Sequence, residues 1–332
     1  MGQVIVALPH SKEIMSNFYS GRRVIVTGGA GFAGSHLVEA LILRGAQVIV
    51  LDDFSRGREY IDGAFYTKCD VGDYLACFNG FKKADIVFNL AATVAGVLYN
   101  QNHHLEMFDS NLRLLTAPVI AARDMGIPYF LQVSSVCVYA PEWVSGSVEE
   151  FGRAGEPVDA NAGYSWSKRM GERVALWGGL PHVVVVRPSN LYGPRDYFDD
   201  KAHVIPALIR KAITDDEIRV HGTGLEMREF LYVEDVAEGM IAALEHGSNG
   251  GIYNLGTHSR TVISIANLIA MIQDITNTKH KQVTFIGGNA GDSARWSDCV
   301  KAETELKWRA KTDLREGLTK TVEWYFDSTV KA

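Results

Sequence analysis

Residues 24–34 read VIVTGGAGFAG, and the order of residue types within them decides the fold. Residues 24–27 are a short β-branched run between an arginine and a glycine, the pattern of a strand buried in a parallel sheet. Gly28, Gly31 and Gly34 follow, and a helix is expected over 35–44, closed by Gly45. In a strand–turn–helix context each glycine has its own task. The first tightens the turn, the second lets backbone approach a pyrophosphate, and the third lets helix pack on strand. Phe32 and Ala33 share this loop, whose helix N-terminus offers unpaired N–H groups and a positive dipole end to phosphate. The stretch therefore reads as a dinucleotide loop.

Working outward, the same alternation recurs. Strands are expected at 48–51, 86–90, 129–133 and 183–186, with helices at 104–125 and 165–176 between them. Alternating strand and helix imply a Rossmann-type α/β fold, a doubly wound parallel sheet with right-handed crossovers. The rhythm breaks after Pro188. Residues 189–228 are loop-rich with a helix near 203–213, residues 229–257 are expected to return to the sheet, and two helices follow at 264–274 and 314–326. We therefore expect a dinucleotide-binding domain from 21–188 and 229–257. A smaller, discontinuous α/β substrate lobe from 189–228 and 258–326 would fold over the carboxyl edge of the sheet, where open α/β sheets bind ligands. Residues 1–20 are read as a surface extension.

Composition narrows the function. The 332 residues are 47% hydrophobic and carry a net charge of −6, with no basic stripe to suit a nucleic acid. No apolar run approaches the roughly 20 residues of a membrane span. The opening MGQVIVALPH has no basic n-region or long apolar core, and residue 6 is Val, so neither a signal peptide nor myristoylation is expected. Cys69, Cys77, Cys137 and Cys299 match no zinc spacing, so no metal site and a reducing, cytoplasmic setting are expected.

Asp52 ends the second strand, where a carboxylate takes hydrogen bonds from the adenosine ribose and repels a 2′-phosphate; NAD is expected rather than NADP. Asp53, Ser55 and Arg56 continue that loop, and Arg56 and Arg58 are the side chains that could instead reach a 2′-phosphate. Asp70 and Val71 suit the adenine edge, while Leu90, Ala91 and Ala92 end the next strand and Pro188 a later one. Tyr164 and Lys168 stand at i and i+4, one helical face. A phenol titrates near pH 10, and a neighbouring cation favours its ionised form. Lys168 can also reach the nicotinamide ribose, and Ser135, at a strand end, can share the proton of a substrate hydroxyl. Cys137 and His203 are further groups able to exchange protons near neutrality.

These residues resemble the extended short-chain dehydrogenase/reductases, specifically the nucleotide-sugar epimerase/dehydratase group. The resemblance covers about 21–326. It rests on GGAGFAG, LDDFSRG, NLAA, SSVCVY, YSWSK, RPSNLYGPRD and REFLYVEDVAEG, and on GDSARWSD near the end. Within that group, SSVCVY with AHVIPALIRKA and GTGLEMREF looks most like the GDP-L-fucose synthase and GDP-mannose 3,5-epimerase families. It implies that Cys137 and His203 are the proton-transfer pair, and that Asn190, Arg195, Arg228 and Arg295 grip a nucleotide diphosphate. Thr93 and Gly96 would leave room for the sugar ring. It further implies transient oxidation at sugar carbon 4 with proton exchange at carbons 3 and 5, and a homodimer through a four-helix bundle. The alternatives are a fucose-synthase reaction using NADPH, a plain 4-epimerase without need of Cys137, and a non-catalytic NAD-binding scaffold. A 4,6-dehydratase is disfavoured because Val136, not an acid, follows Ser135.

Overall fold

The computed structural model describes residues 17–56, 59–143, 145–258, 261–287 and 294–330. Seven strands form one sheet in the order Gly251–Leu255, Val183–Pro188, Tyr129–Val133, Ile86–Asn89, Arg23–Thr27, Gln47–Asp52, Phe65–Lys68. Every neighbouring pair is parallel. From Arg23–Thr27 the chain steps outward to one side, then returns and builds the other side from Ile86–Asn89. That reversal opens a crevice at the carboxyl ends, where Gly28 faces Ala91.

Helices cover both faces. Phe32–Leu43 and Val233–His246 pack on one, together with Leu37, Leu41, Met240 and Leu244. His104–Asp124 and Ala162–Trp177 cover the other, burying Val119, Ala122 and Ala175 against Val87 and Phe130. Because both faces are covered, the strands are continuous apolar runs; Val183–Pro188 is buried at all six positions. Gly45 and Gly126 close their helices in the left-handed region, at φ 77° and 65°.

A second core lies beyond the carboxyl edge, where Ile205, Ile209, Leu268, Ile272 and Leu318 meet. It joins the helices Val204–Thr214, Ile265–Ile275 and Leu314–Val330. A four-stranded sheet stands beside it in the order Ile263–Ser264, Met227–Arg228, Ala294–Ser297, Ser145–Ser147.

The structure corrects the sequence reading at five points. Tyr19 is a core residue, fully buried, its hydroxyl donating to the Ile241 carbonyl at 2.8 Å, so the extension is anchored at this end; residues 1–16 lie outside the described residues. The first helix begins at Phe32 rather than Ser35, immediately after Gly31. Phe65–Lys68 is an unforeseen edge strand, mostly exposed and so without an apolar signature. Phe230–Tyr232 does not rejoin the large sheet. Gly251–Leu255 already occupies the edge beside Val183–Pro188, and Phe230–Tyr232 pairs instead with Asn190–Tyr192, the continuation of that strand. Ser145–Ser147 pairs with Ala294–Ser297, so a segment expected within the large sheet's domain contributes to the smaller sheet.

Candidate active site

The crevice begins at the glycine loop. Gly28 sits at φ 69°, and a Cβ there would lie 2.9 Å from the Ala91 backbone. A Cβ on Gly34 would run into the Gly28 carbonyl. Phe32 and Ala33 open the helix, so their N–H groups lack intrahelical acceptors. The Phe32 N–H is taken by the Tyr197 hydroxyl, which also stands 3.3 Å from where a Gly31 Cβ would be.

Asp52 is buried at the next strand end. Its carboxylate accepts from the Ala30 N–H (3.0 Å) and the Phe54 N–H (2.9 Å). Burial raises its pKa, and the two backbone donors pull it back. Asp53 accepts from the Ser55 N–H and hydroxyl. Arg56 donates to the Val94 carbonyl and turns toward residues 194–203, donating to both Asp199 oxygens (2.9 and 3.0 Å) and lying over the Tyr197 ring. Arg58 lies outside the described residues. Asp70 caps its own turn through the Gly72 N–H, with Val71 buried beside it. Thr27 Oγ1 receives the Leu90 and Ala91 N–H groups, and Ala92 follows them at the mouth. Pro188 pairs with Leu255 at the far strand end. A glycine cradle, the N-terminus of the helix Phe32–Leu43 and a carboxylate at the next strand end fit an NAD molecule. Arg56, engaged by Asp199, is not free for a 2′-phosphate.

Deeper in the crevice the expected reacting groups meet. The Ser135 hydroxyl hydrogen-bonds the Tyr164 phenol, and Ser135 Oγ accepts the Cys137 N–H at 3.1 Å. Lys168 Nζ lies 5.5 Å from the Tyr164 ring centre and donates to the Val133 carbonyl at 3.1 Å. Desolvation lowers the Lys168 ammonium to about 8, partly opposed by Cys137 and Glu172. Desolvation and Cys137 push the Tyr164 phenol above its ordinary value, and the Ser135 bond opposes them. The expected lowering of the phenol by Lys168 is therefore not what dominates here; burial wins. Arg295 Nη1 donates to the Cys137 sulfur at 3.2 Å. Arg295 was expected on the diphosphate, and the structure sets it against the thiol.

The other expected residues have partners of their own. Thr93 exchanges two backbone hydrogen bonds with the Asn111 amide. A Cβ on Gly96 would lie 3.5 Å from the Ala202 carbonyl. Asn190 donates to the Glu229 carbonyl and Arg228 to the Met227 carbonyl. Arg195, at φ 67°, pairs with Glu39 on the first helix at 2.8 Å, which turns it from the expected substrate contact. His203 precedes the helix Val204–Thr214, its Nδ1 3.9 Å from Asp196 Oδ1. Desolvation, then the charge of Arg56, lowers its imidazole, and burial pushes Asp196 up to about 7. Among the described residues no hydrogen bond joins His203 to Cys137 or Tyr164. Cys69, Cys77 and Cys299 are buried and Cys137 half-buried. Among the described residues no group of three His, Cys, Asp or Glu is arranged to hold a metal ion, and no helix is long and apolar enough to cross a membrane.

Three residues escaped the sequence reading. Glu172, one turn beyond Lys168, and Arg187 form a buried ion pair behind the cluster; Tyr197 covers the glycine loop. Glu172 was detectable by its i+4 spacing from Lys168, and Arg187 as a charge interrupting a valine strand.

The chain is 28% identical to "Probable GDP-L-fucose synthase 1" of Oryza sativa subsp. japonica, over 100% of this chain and 99% of that one. It is 31% identical to "Probable dTDP-glucose 4,6-dehydratase" of Sinorhizobium fredii, over 92% and 93% of the two chains. Among solved structures, the Thermus thermophilus UDP-glucose 4-epimerase complex with NAD superposes with a TM-score of 0.81 at 26% identity, covering 92% of this chain and 99% of that one. Residues 24–256 match the NAD dependent epimerase/dehydratase family, and the chain belongs to that family, an NAD-using enzyme of nucleotide-sugar epimerase/dehydratase type.

Proposed function

We propose that the protein epimerises a GDP-linked hexose by transient oxidation at carbon 4 and proton exchange at carbons 3 and 5. The observation that carries this reading is a half-buried thiol, Cys137, set among Tyr164, Lys168 and Arg295; a plain 4-epimerase needs no second acid–base group there. NAD, held by the glycine loop and Asp52, supplies a hydride acceptor when bound. The chain's own groups handle protons. Tyr164 takes the hydroxyl proton as a phenolate, shared through Ser135, a form that needs the positive charge of Lys168 and of a bound nicotinamide to offset the burial that raises the phenol. Cys137 and His203 exchange the protons made acidic beside the carbon-4 ketone, worth about 10²–10⁴-fold per positioned acid–base group. Asn190, Arg228 and residues of 189–228 and 258–326 form the nucleotide-sugar side. Val136, apolar and buried, argues against the elimination step of a dehydratase.

A second reading, a fucose-synthase-type 3,5-epimerase and 4-reductase, is favoured by the rice relative and by His203. It predicts consumption of NADPH, whereas the buried Asp52 carboxylate disfavours a 2′-phosphate at the adenosine ribose. Purified protein incubated with GDP-mannose in heavy water and no added cofactor tests the choice. Deuterium at carbons 3 and 5 with a changed sugar supports the first reading; product only with added NADPH and a 4-keto-6-deoxy substrate selects the second. Inversion at carbon 4 without deuterium uptake, unchanged in Cys137→Ser, sinks both. We further read the chain as a cytoplasmic homodimer through His104–Asp124 and Ala162–Trp177, which light scattering checks.

A further inference from the structure

Arg187 has no exposed side-chain surface, yet it is a cation at the end of an otherwise apolar strand. Its Nε and Nη2 donate to the two carboxylate oxygens of Glu172, each at 2.7 Å. Its Nη1 donates to the Tyr139 hydroxyl (3.0 Å) and to the Glu149 carbonyl (2.7 Å). The Ser134 hydroxyl donates to Glu172 Oε1 at 2.5 Å, and the Tyr139 hydroxyl donates to Asn254 Oδ1 at 2.6 Å. Gly152 lacks the Cβ that would collide with the guanidinium.

The positions of these partners along the chain carry the argument. Ser134 and Tyr139 bracket the segment that bears Ser135 and Cys137. Glu172 lies on the helix Ala162–Trp177, one turn beyond Lys168 and two beyond Tyr164. One ion pair thus holds both ends of the hydroxyl-and-thiol segment and also the helix of the phenol and ammonium. A buried ion pair is a poor source of net stability, because desolvating two charges offsets their attraction. An apolar pair would fill the same space but would fix no register between the two segments.

We propose that Glu172 and Arg187 are positioning residues that hold Ser135 and Cys137 in register with Tyr164 and Lys168, with the Glu172 carboxylate also balancing the Lys168 ammonium. This rests on the reading above only in taking those four side chains as the reacting groups. The charged or titratable groups facing Lys168 are Tyr164, Cys137 and Glu172. Removing the Glu172 charge leaves Arg187 unbalanced, so Lys168 loses its proton at lower pH and the electrostatic field at Cys137 changes.

Glu172→Gln and Arg187→Lys test this with two readouts. The first is kcat and KM with a nucleotide sugar that the wild type turns over. The second is alkylation of Cys137 by iodoacetamide from neutral to alkaline pH, followed by mass spectrometry. Cys69, Cys77 and Cys299 are buried, so the second readout reports Cys137, and it needs no substrate. The expected result is a loss in kcat of about a hundredfold, the usual consequence of a slight misplacement of reacting groups, with KM within about threefold. The basic limb of the pH–kcat profile moves to lower pH, and the alkylation profile moves with it. Folded Glu172→Gln protein with kcat within about threefold of wild type and an unmoved alkylation profile overturns the proposal. So does a loss that only tracks the folded fraction. Ser134→Ala and Tyr139→Phe keep the ion pair and carry the test if the first two variants do not fold; wild-type kcat and alkylation in both then overturn it. An altered alkylation profile in a protein that turns over no GDP-hexose supports the positioning role while removing the functional reading.

Discussion

The two groups proposed to exchange protons with the sugar are held in opposite ways. Cys137 stands on a segment pinned at Ser134 and Tyr139 to a buried ion pair, with Arg295 against its sulfur. His203 ends a loop, its side chain 40% exposed, with Asp196 3.9 Å away and the charges of Arg56 and Asp199 acting on it. The fold therefore fixes the thiol, whereas loop electrostatics hold the imidazole. The loop also reaches the glycine cradle, because Tyr197 takes the Phe32 N–H and Arg56 grips Asp199.

The largest expected effects break the fixed side. Tyr164→Phe removes the hydroxyl that Ser135 orients, and turnover should fall by about 10³-fold or more while NAD binding, read by fluorescence quenching, persists. Cys137→Ser should abolish deuterium uptake at one ring carbon and lower overall turnover about 10²-fold, with redox at carbon 4 retained, seen as transient absorbance of reduced cofactor. His203→Asn should cost no more than about 10²-fold, the low end for a positioned acid–base group, because water can reach the partly exposed imidazole and carry part of its proton transfer. Equal losses at Cys137 and His203, on the same ring carbon, would erase the contrast between the two sides.

How much of this was legible beforehand follows the same division. The fixed side is spelled in short-range patterns: glycines three apart after a valine strand, Tyr164 and Lys168 four apart on a helix, Asp52 at a strand end. Each pattern places its side chains through the geometry of one or two elements. The loop side is set by long-range pairings that no local spacing encodes. Arg195 reads as a free cation in sequence, and only the packed structure supplies Glu39 from the first helix. Arg295 likewise meets Cys137 because Ala294–Ser297 pairs with Met227–Arg228 and Ser145–Ser147. Phe230–Tyr232 was misplaced for a related reason: its apolar run announces a strand but not which edge is open to it. Tyr19 hid in a segment without a periodic pattern, and its burial depends on the Ile241 carbonyl far along the chain.

The smallest expected effects compare the two sides through stability rather than activity. On the fixed side, Lys168 titrates near 8 in the folded protein against 10.5 ordinarily. Between those values the unfolded chain binds more protons, so stability rises with pH. Lys168→Met removes that slope and should raise the melting temperature by several degrees at pH 7. On the loop side, Asp196 is raised to about 7 from 3.8. Here the folded protein binds more protons between about pH 4 and 7, so stability falls as pH rises through that window. Asp196→Asn abolishes the fall. Its melting curve should coincide with wild type near pH 3.5 and separate upward by a few degrees above pH 7, because Asn keeps an acceptor for the Tyr197 N–H. Differential scanning calorimetry from about pH 3.5 to 7 reads the Asp196 slope, and from about pH 8 to 10.5 the Lys168 slope. A wild-type-like slope in Asp196→Asn would mean that Asp196 ionises freely, and that His203 faces a full negative charge at neutral pH rather than a partly protonated carboxyl.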